Sequence, residues 1–258
     1  MNMHFFLANE TPEICHICFN RSPETGVNAF SRSDIHALGN MIEDAEAAFP
    51  DIRMLVLSSR AVSPKGKPIF SAGADLKERP SWSQEAVLAH VHTERRLTDR
   101  LRRSPLFSLC LVSGYALGFG AELCAAADHV IATPDARFGF PEARLGIVPG
   151  AGGLKWALGE ASDTKKAMRH IIMGDHFDPE EAHAIGLVQD IVSSHAQALQ
   201  TLAALAEALK QTSPVSQKAL KQARYQAFLQ KCPDAIEAEA YLQACIQTRA
   251  NDRLGGKK

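Results

Sequence analysis

Two glutamates, Glu122 and Glu142, stand in glycine-framed segments, GYALGFGAEL (residues 114–123) and FGFPEARLGIVPGAGG (residues 138–153), downstream of FSAGADLKER (residues 70–79). Glycine lets backbone approach a ligand closely, so such loops can present main-chain N–H groups to a substrate. In the first, Gly118-Phe119-Gly120 precedes a small-residue run from Ala121 to Ala127, which predicts a short helix after an apolar strand at 109–112. The N–H groups that open a helix lack intrahelical partners and are backed by its dipole, which suits them to a developing oxyanion. The turn Ala72-Gly73-Ala74-Asp75 offers a second donor. Two amides converging on one carbonyl oxygen would stabilise an enolate. Two carboxylates beside that carbonyl can then divide the work, one moving a proton at the α-carbon and one managing water.

Each feature also has a plainer reading. Glycine clusters are often only turns, Glu122 alone could be a solvated helix residue, and Glu142 a first-turn charge. The three segments together favour catalysis.

In their order along the chain the segments resemble the crotonase (enoyl-CoA hydratase/isomerase) superfamily, from about Ile14 to Val192. The resemblance is carried by FNRSPETGVNAF (residues 19–30), AGADLKE, GYALGFGAEL, Asp128 at the start of a strand, PEARLGIVPGAGG and DPEEAHAIGLVQDIV (residues 178–192). It implies an α/β fold, a spiral of repeated β-β-α units over 1–192 that carries the acyl-CoA site, followed by a C-terminal helical region over 193–258 for trimerisation. It places the oxyanion-hole amides on Ala74 and Phe119 and the catalytic carboxylates on Glu122 and Glu142. Residues implied at the substrate or CoA are Ala72, Ala74, Asp75, Leu76, Lys77, Phe119 and Gly150.

Because both glutamates are present, the implied reaction is reversible hydration of a 2-enoyl-CoA. Glu122 would deprotonate the water that attacks the β-carbon, and Glu142 would deliver the α-proton. No metal or other cofactor is implied, coenzyme A being part of the substrate. The expected partners are an acyl-CoA thioester and copies of the same chain, as trimer or hexamer. Two alternatives stay open: another acyl-CoA reaction on the same hole (isomerisation, hydrolysis, decarboxylation), or a catalytically silent acyl-CoA binder.

The chain departs from the family pattern at four places. Phe119 stands where glycine is usual, which predicts either backbone strain, if φ there is positive, or a ring that trims the acyl pocket. Lys155-Trp156 follows PGAGG, AVSPKGK (residues 61–67) lengthens the approach to the AGAD turn as a small hairpin or loop, and the tail reads DRLGGKK. Trp82, Val87, Phe140 and the C-terminal helices are further candidates for the pocket wall.

With 258 residues the chain can bury a large core. A net charge of −1 gives no reason to expect nucleic-acid or membrane binding. Without a leader pattern or an apolar run of membrane length, a cytoplasmic location is the expectation. The six cysteines lie in apolar segments and read as reduced, buried thiols. Cys15 and Cys18 show CxxC spacing, but on a strand they face opposite sides. His90 and His92 do not share a helix face and read as packing or surface residues. The basic run Arg95, Arg96, Arg100, Arg102 and Arg103, interleaved with Glu94 and Asp99, reads as a solvated helix face, with attraction of CoA phosphates as the functional alternative.

Apolar periodicity predicts a helix over 33–49 capped by Ser33, strands over 14–19, 53–58, 106–112 and 129–132, and a charged helix over 83–103. After Asp178-Pro179, helices are predicted over 197–210, 214–230 and 234–251.

Overall fold

A computed structural model describes residues 3–7, 12–20, 28–63, 65–77 and 82–248. Residues 21–27 of the early motif, Pro64, Glu78, Arg79 and the tail DRLGGKK lie outside the described residues.

The chain opens with an antiparallel pair, β1 (His4–Leu7) and β2 (Ile14–Asn20), and β3 (Ala29–Phe30) then leads into α1 (Arg32–Ala47). Three repeats follow. In the first, β4 (Met54–Ser59), β5 (Ile69–Ser71) and the short β6 (Gly73–Ala74) precede α2 (Gln84–Arg103). In the second, β7 (Phe107–Val112) and β8 (Tyr115–Leu117) precede α3 (Phe119–Ala126). In the third, β9 (His129–Ala132) and β10 (Arg137–Gly139) precede a 3₁₀ turn (Pro141–Leu145) and α4 (Gly153–Gly159). The rest is α5 (Thr164–Met173), β11 (His176–Phe177), α6 (Pro179–Ala184), β12 (Asp190–Ile191), α7 (His195–Lys210), α8 (Pro214–Lys231) and α9 (Asp234–Thr248).

The first strand of every repeat enters a six-stranded sheet of order β1-β2-β4-β7-β9-β12, parallel from β2 onward. The second strand enters a sheet of order β11-β10-β8-β5. This alternation is the β-β-α spiral expected from the sequence. Strands such as MLVLSS (β4) and FSLCLV (β7) are apolar on both faces, as a parallel sheet covered on both sides requires. Alternate residues accordingly divide between two cores. Cys15, Ile17 and Phe19 join the large core beneath α1 and α3, whereas Ile14, Val56, Leu109 and Ile131 pack under Ala198 and Leu202 of α7. Cys15 and Cys18 are both buried free thiols.

Some boundaries move. Helix α1 starts one turn-half earlier than Ser33: Ser31 is the cap, its hydroxyl accepting the Asp34 N–H at 3.2 Å while the Asp34 carboxylate accepts the Ser31 N–H at 2.8 Å. That reciprocal pair satisfies two donors at once. Strand β8, not predicted, intervenes between β7 and α3. The run 61–67 does form a small hairpin, closed by the Val62–Pro68 bridge and a bond from the Ser63 N–H to the Lys67 carbonyl at 2.7 Å.

The C-terminal helices fold back on their own chain. Arg53, just before β4, donates to Gln217 of α8 and to the Thr212 carbonyl, while the Gln217 amide donates to the Arg53 and Pro105 carbonyls. Lys221 and Arg224 of α8 both meet Asp128, whose carboxylate also takes the Ser108 N–H and hydroxyl. Among the described residues, no helix is long and apolar enough to cross a membrane.

Candidate active site

The two glycine turns meet edge to edge. Gly73 has φ +96°, and a Cβ placed on it would lie 2.9 Å from the Leu117 carbonyl oxygen and 3.4 Å from the Phe119 nitrogen. No side chain fits there, so the backbone on either side, at Ala74 and at Phe119, is brought to one wall of a cavity. Asp75 and Ala72 hold the first turn by donating to the Phe30 and Asn28 carbonyls. The second turn is held by the bond from Gly118 N–H to the Gly139 carbonyl, and the first helical bond of α3 runs from Glu122 N–H back to Gly118. The Phe119 N–H, at the first position of that helix, has no intrahelical acceptor.

The strain considered for Phe119 does not arise. The positive φ falls on Gly118, at +51°, and Phe119 is already helical. Its ring edges onto Phe30 at 5.5 Å, the end of a T-shaped series running through Phe19 to Phe70. Such contacts add to ordinary burial, so the phenyl anchors the start of α3 in the core behind the amide wall.

Glu122 and Glu142 line the same cavity. Helix α3, FGAELCAA, is buried along its whole length and carries Glu122 inward on its first turn. Glu122 Oε1 accepts the N–H groups of Ala151 (2.8 Å) and Gly153 (3.1 Å). Burial, and then the negative neighbours Glu142, Glu237 and Glu94, push its carboxyl well above the ordinary glutamate range, against a bond from Gly153 that lowers it. Glu142 sits on the 3₁₀ turn, which Pro141 opens and Gly146 ends in the left-handed region. Its Oε1 lies 3.0 Å from where a Cβ on Gly118 would be, directly beside the amide wall. A carbonyl oxygen, a proton acceptor and a proton donor can all be served within this one cavity.

The cavity measures about 80 Å³. Of the residues implied at the substrate, Ala72, Ala74, Leu76, Phe119 and Gly150 line this cavity, whereas Asp75 and Lys77 are not part of its wall. Phe140 does not line it either: it is fully buried in the main core, stacked on Trp156. Trp82 and Val87 belong to a small apolar cluster with Val91, Ile147 and Tyr241, and it is those last three that reach the cavity.

The reading of the basic run on α2 needs correction. Arg95 and Arg102 are buried, not solvated: Arg95 Nε donates to the Gly150 carbonyl at 3.0 Å, and Arg102 to the Ala125 carbonyl and to Glu160. Arg100 pairs with Glu43 and Glu46, and Arg96 and Arg103 are exposed. His90 is also buried, 3.2 Å from Glu94, and Glu94 lines the cavity. Lys155 is buried between Asp99 and Asp234. Sequence reasoning missed Glu94, Tyr241 and Glu237. The usable signal for Glu94 was its place on the same helix face as Val87 and Val91; nothing local marked the two residues of α9.

Residues 9–257 match the profile of a protein family described as enoyl-CoA hydratase/isomerase. A 2,3-dehydroadipyl-CoA hydratase of Escherichia coli (strain K12) is 34% identical over 192 residues, 74% of this chain and 71% of that one. An enoyl-CoA isomerase/hydratase of Mycosarcoma maydis is 32% identical over 222 residues, 83% of this chain and 77% of that one. Among solved structures, an enoyl-CoA hydratase from Bacillus anthracis superposes with a TM-score of 0.73 at 26% identity, covering 96% of this chain and 90% of the other.

Proposed function

Because the chain belongs to the enoyl-CoA hydratase/isomerase family, we propose that it adds water reversibly across the 2,3 double bond of a short 2-enoyl-CoA. The observation that carries this reading is the pair of buried glutamates in one cavity with the Ala74 and Phe119 amides. In the proposed reaction the thioester oxygen accepts both N–H groups. Glu122, ionised, takes a proton from water as its oxygen bonds to the β-carbon, and the electron pair of the double bond moves to the enolate held by the amides. Glu142 then donates a proton to the α-carbon, giving the 3-hydroxyacyl thioester. Preformed donors aimed at the enolate oxygen need no reorganisation as charge develops. The bonds from Ala151 and Gly153 to Glu122 Oε1 fix which oxygen remains for the water. No electrons change hands, so the reaction calls for no redox cofactor.

Leu76, Val91, Leu145, Ile147, Val148 and Tyr241 supply an apolar part of the cavity wall. That wall, in a space of about 80 Å³, favours short acyl groups. The test is the loss of conjugated thioester absorbance with crotonyl-CoA and with longer and branched 2-enoyl-CoAs. Turnover that is fastest with the shortest substrates is expected; faster turnover of long chains would contradict the size argument. Conjugation gained from a 3-enoyl-CoA, with no hydration, would replace hydration by isomerisation on the same carboxylates.

Self-association belongs to the same proposal. Val215 and Leu220 of α8 face outward at 78% and 70% exposure, apolar surface that a second copy could cover. Light scattering should report three or six chains per particle, and a monomer would end this part of the proposal.

A further inference from the structure

We infer that Glu237, on α9, is a positioning residue for Glu122, acting through the glycine loop that both carboxylates grip. The loop's main chain is divided between them. The N–H groups of Ala151 and Gly153 go to Glu122 Oε1. Those of Gly152, Leu154 and Lys155 go to Glu237 Oε1, at 3.1, 3.2 and 3.4 Å. The carbonyls are taken from a third side by α2: Gly150 by Arg95, Ala151 by the Thr98 hydroxyl and Gly152 by Arg102. Arg95 closes the circuit, its Nε lying 3.2 Å from Glu237 Oε2.

Glu237 is 0% exposed. A carboxylate is carried that deep only where charge and hydrogen bonds compensate the loss of water, and every donor named here belongs to the loop or to the arginine that also holds it. Removing Glu237 leaves three buried N–H groups without their acceptor, and from Ala151 to Leu154 the amides that orient Glu122 alternate with them. Tyr241, one turn further along α9, lines the cavity itself. Docking of α9 thus completes the wall and sets the catalytic carboxylate together.

The kinetic part of the test rests on the hydration reading. It compares Glu237→Ala and Glu237→Gln in the full chain, with circular dichroism and particle mass as controls. Glu237→Ala should lower kcat on the order of 10²-fold, as a small misplacement of a catalytic group does, with KM within about threefold. Glu237→Gln keeps an acceptor for the loop and should recover part of that loss, to within about tenfold of wild type. Its pH profile should move too. Glu122 faces Glu142, Glu94 and Glu237, and Glu237 faces Arg95 and Lys155; taking one negative charge from this group lets Glu122 ionise at lower pH, so the acidic limb shifts down.

A folded Glu237→Ala with wild-type kcat, or a loss confined to KM, would overturn the inference. Should Glu237→Ala not fold, Glu237→Gln decides: wild-type kcat with an unmoved acidic limb overturns it. A wild type that hydrates no enoyl-CoA would count against the reaction alone. Glu237 is then judged by isotope-edited infrared titration of the Glu122 carboxyl, assigned with Glu122→Gln. A lower midpoint in Glu237→Gln supports the inference, and an unchanged midpoint sinks it.

Discussion

Glu122→Gln and Glu142→Gln should each lower the hydration rate on the order of 10²- to 10⁴-fold, the range for a positioned acid or base, with crotonyl-CoA binding retained. Glutamine keeps the size of each side chain, and at position 122 it keeps an acceptor for the Ala151 and Gly153 amides, so the loop geometry survives while proton transfer is lost. The double variant should be only slightly worse than either single one, because residues acting on one transition state are not additive. Full activity in either variant would remove that glutamate from the mechanism.

Glu122→Gln should also change stability, with a sign set by burial. The folded state holds the Glu122 carboxyl well above its ordinary value, burial being the largest cause and the neighbouring carboxylates the next. The folded protein therefore binds this proton more tightly than the unfolded chain. Stability falls as pH rises from the unfolded carboxyl value through the raised folded one. Above that value wild type carries a buried, crowded charge that Glu122→Gln lacks. Thermal unfolding at pH 8 should place Tm of Glu122→Gln above wild type, and the gap should vanish near pH 4. An equal Tm at both pH values would mean that Glu122 is not held in an unfavourable ionised state. The same elevation should set the acidic limb of kcat/KM above the usual carboxylate range, since protonated Glu122 cannot accept a proton from water.

How much of this was legible in the sequence depends on the distance over which each feature is encoded. Gly73, Gly118 and Glu122 could be read as a site because glycine and carboxylate types sit within a few residues of the backbone groups they serve. The strands β4 and β7 were legible because parallel strands buried on both faces are nearly continuous apolar runs. Phe119 was ambiguous, since only the placement of the positive φ one residue earlier, on Gly118, frees the ring to join Phe30. Arg95 and Arg102 of α2 looked like solvated charge because their main-chain partners, the carbonyls of Gly150, Gly152 and Ala125, belong to distant segments and main-chain acceptors leave no compositional trace. Glu237 was invisible for the same reason: in DAIEAEAYLQACIQT it is one acidic residue among three, and only docking of α9 distinguishes it.

Gly73→Ala should lower kcat/KM on the order of 10²- to 10³-fold, the cost of losing one oxyanion donor. The new Cβ meets the Leu117 carbonyl at 2.9 Å and the Phe119 nitrogen at 3.4 Å. Both belong to main chain: Leu117 is in β8, paired to β10, and Phe119 opens a helix buried throughout, so neither yields cheaply. Residues 72–75 must move away instead, and the Ala74 and Phe119 amides no longer converge on one oxygen. Position 73 also has φ +96°, which alone strains any L side chain, so lost activity could be blamed on backbone strain without reference to the hole. Gly66→Ala separates the two causes. Gly66 has φ +72°, yet a Cβ there has nothing within 4 Å, in the hairpin away from the cavity. It should lose stability, about 1 kcal/mol for an L residue forced into this region, with kcat/KM near wild type. If Gly73→Ala behaves like Gly66→Ala, destabilised but active, the close approach of the two turns does not build the oxyanion site; if only Gly73→Ala loses catalysis while folded, the contact between them is what the reaction uses.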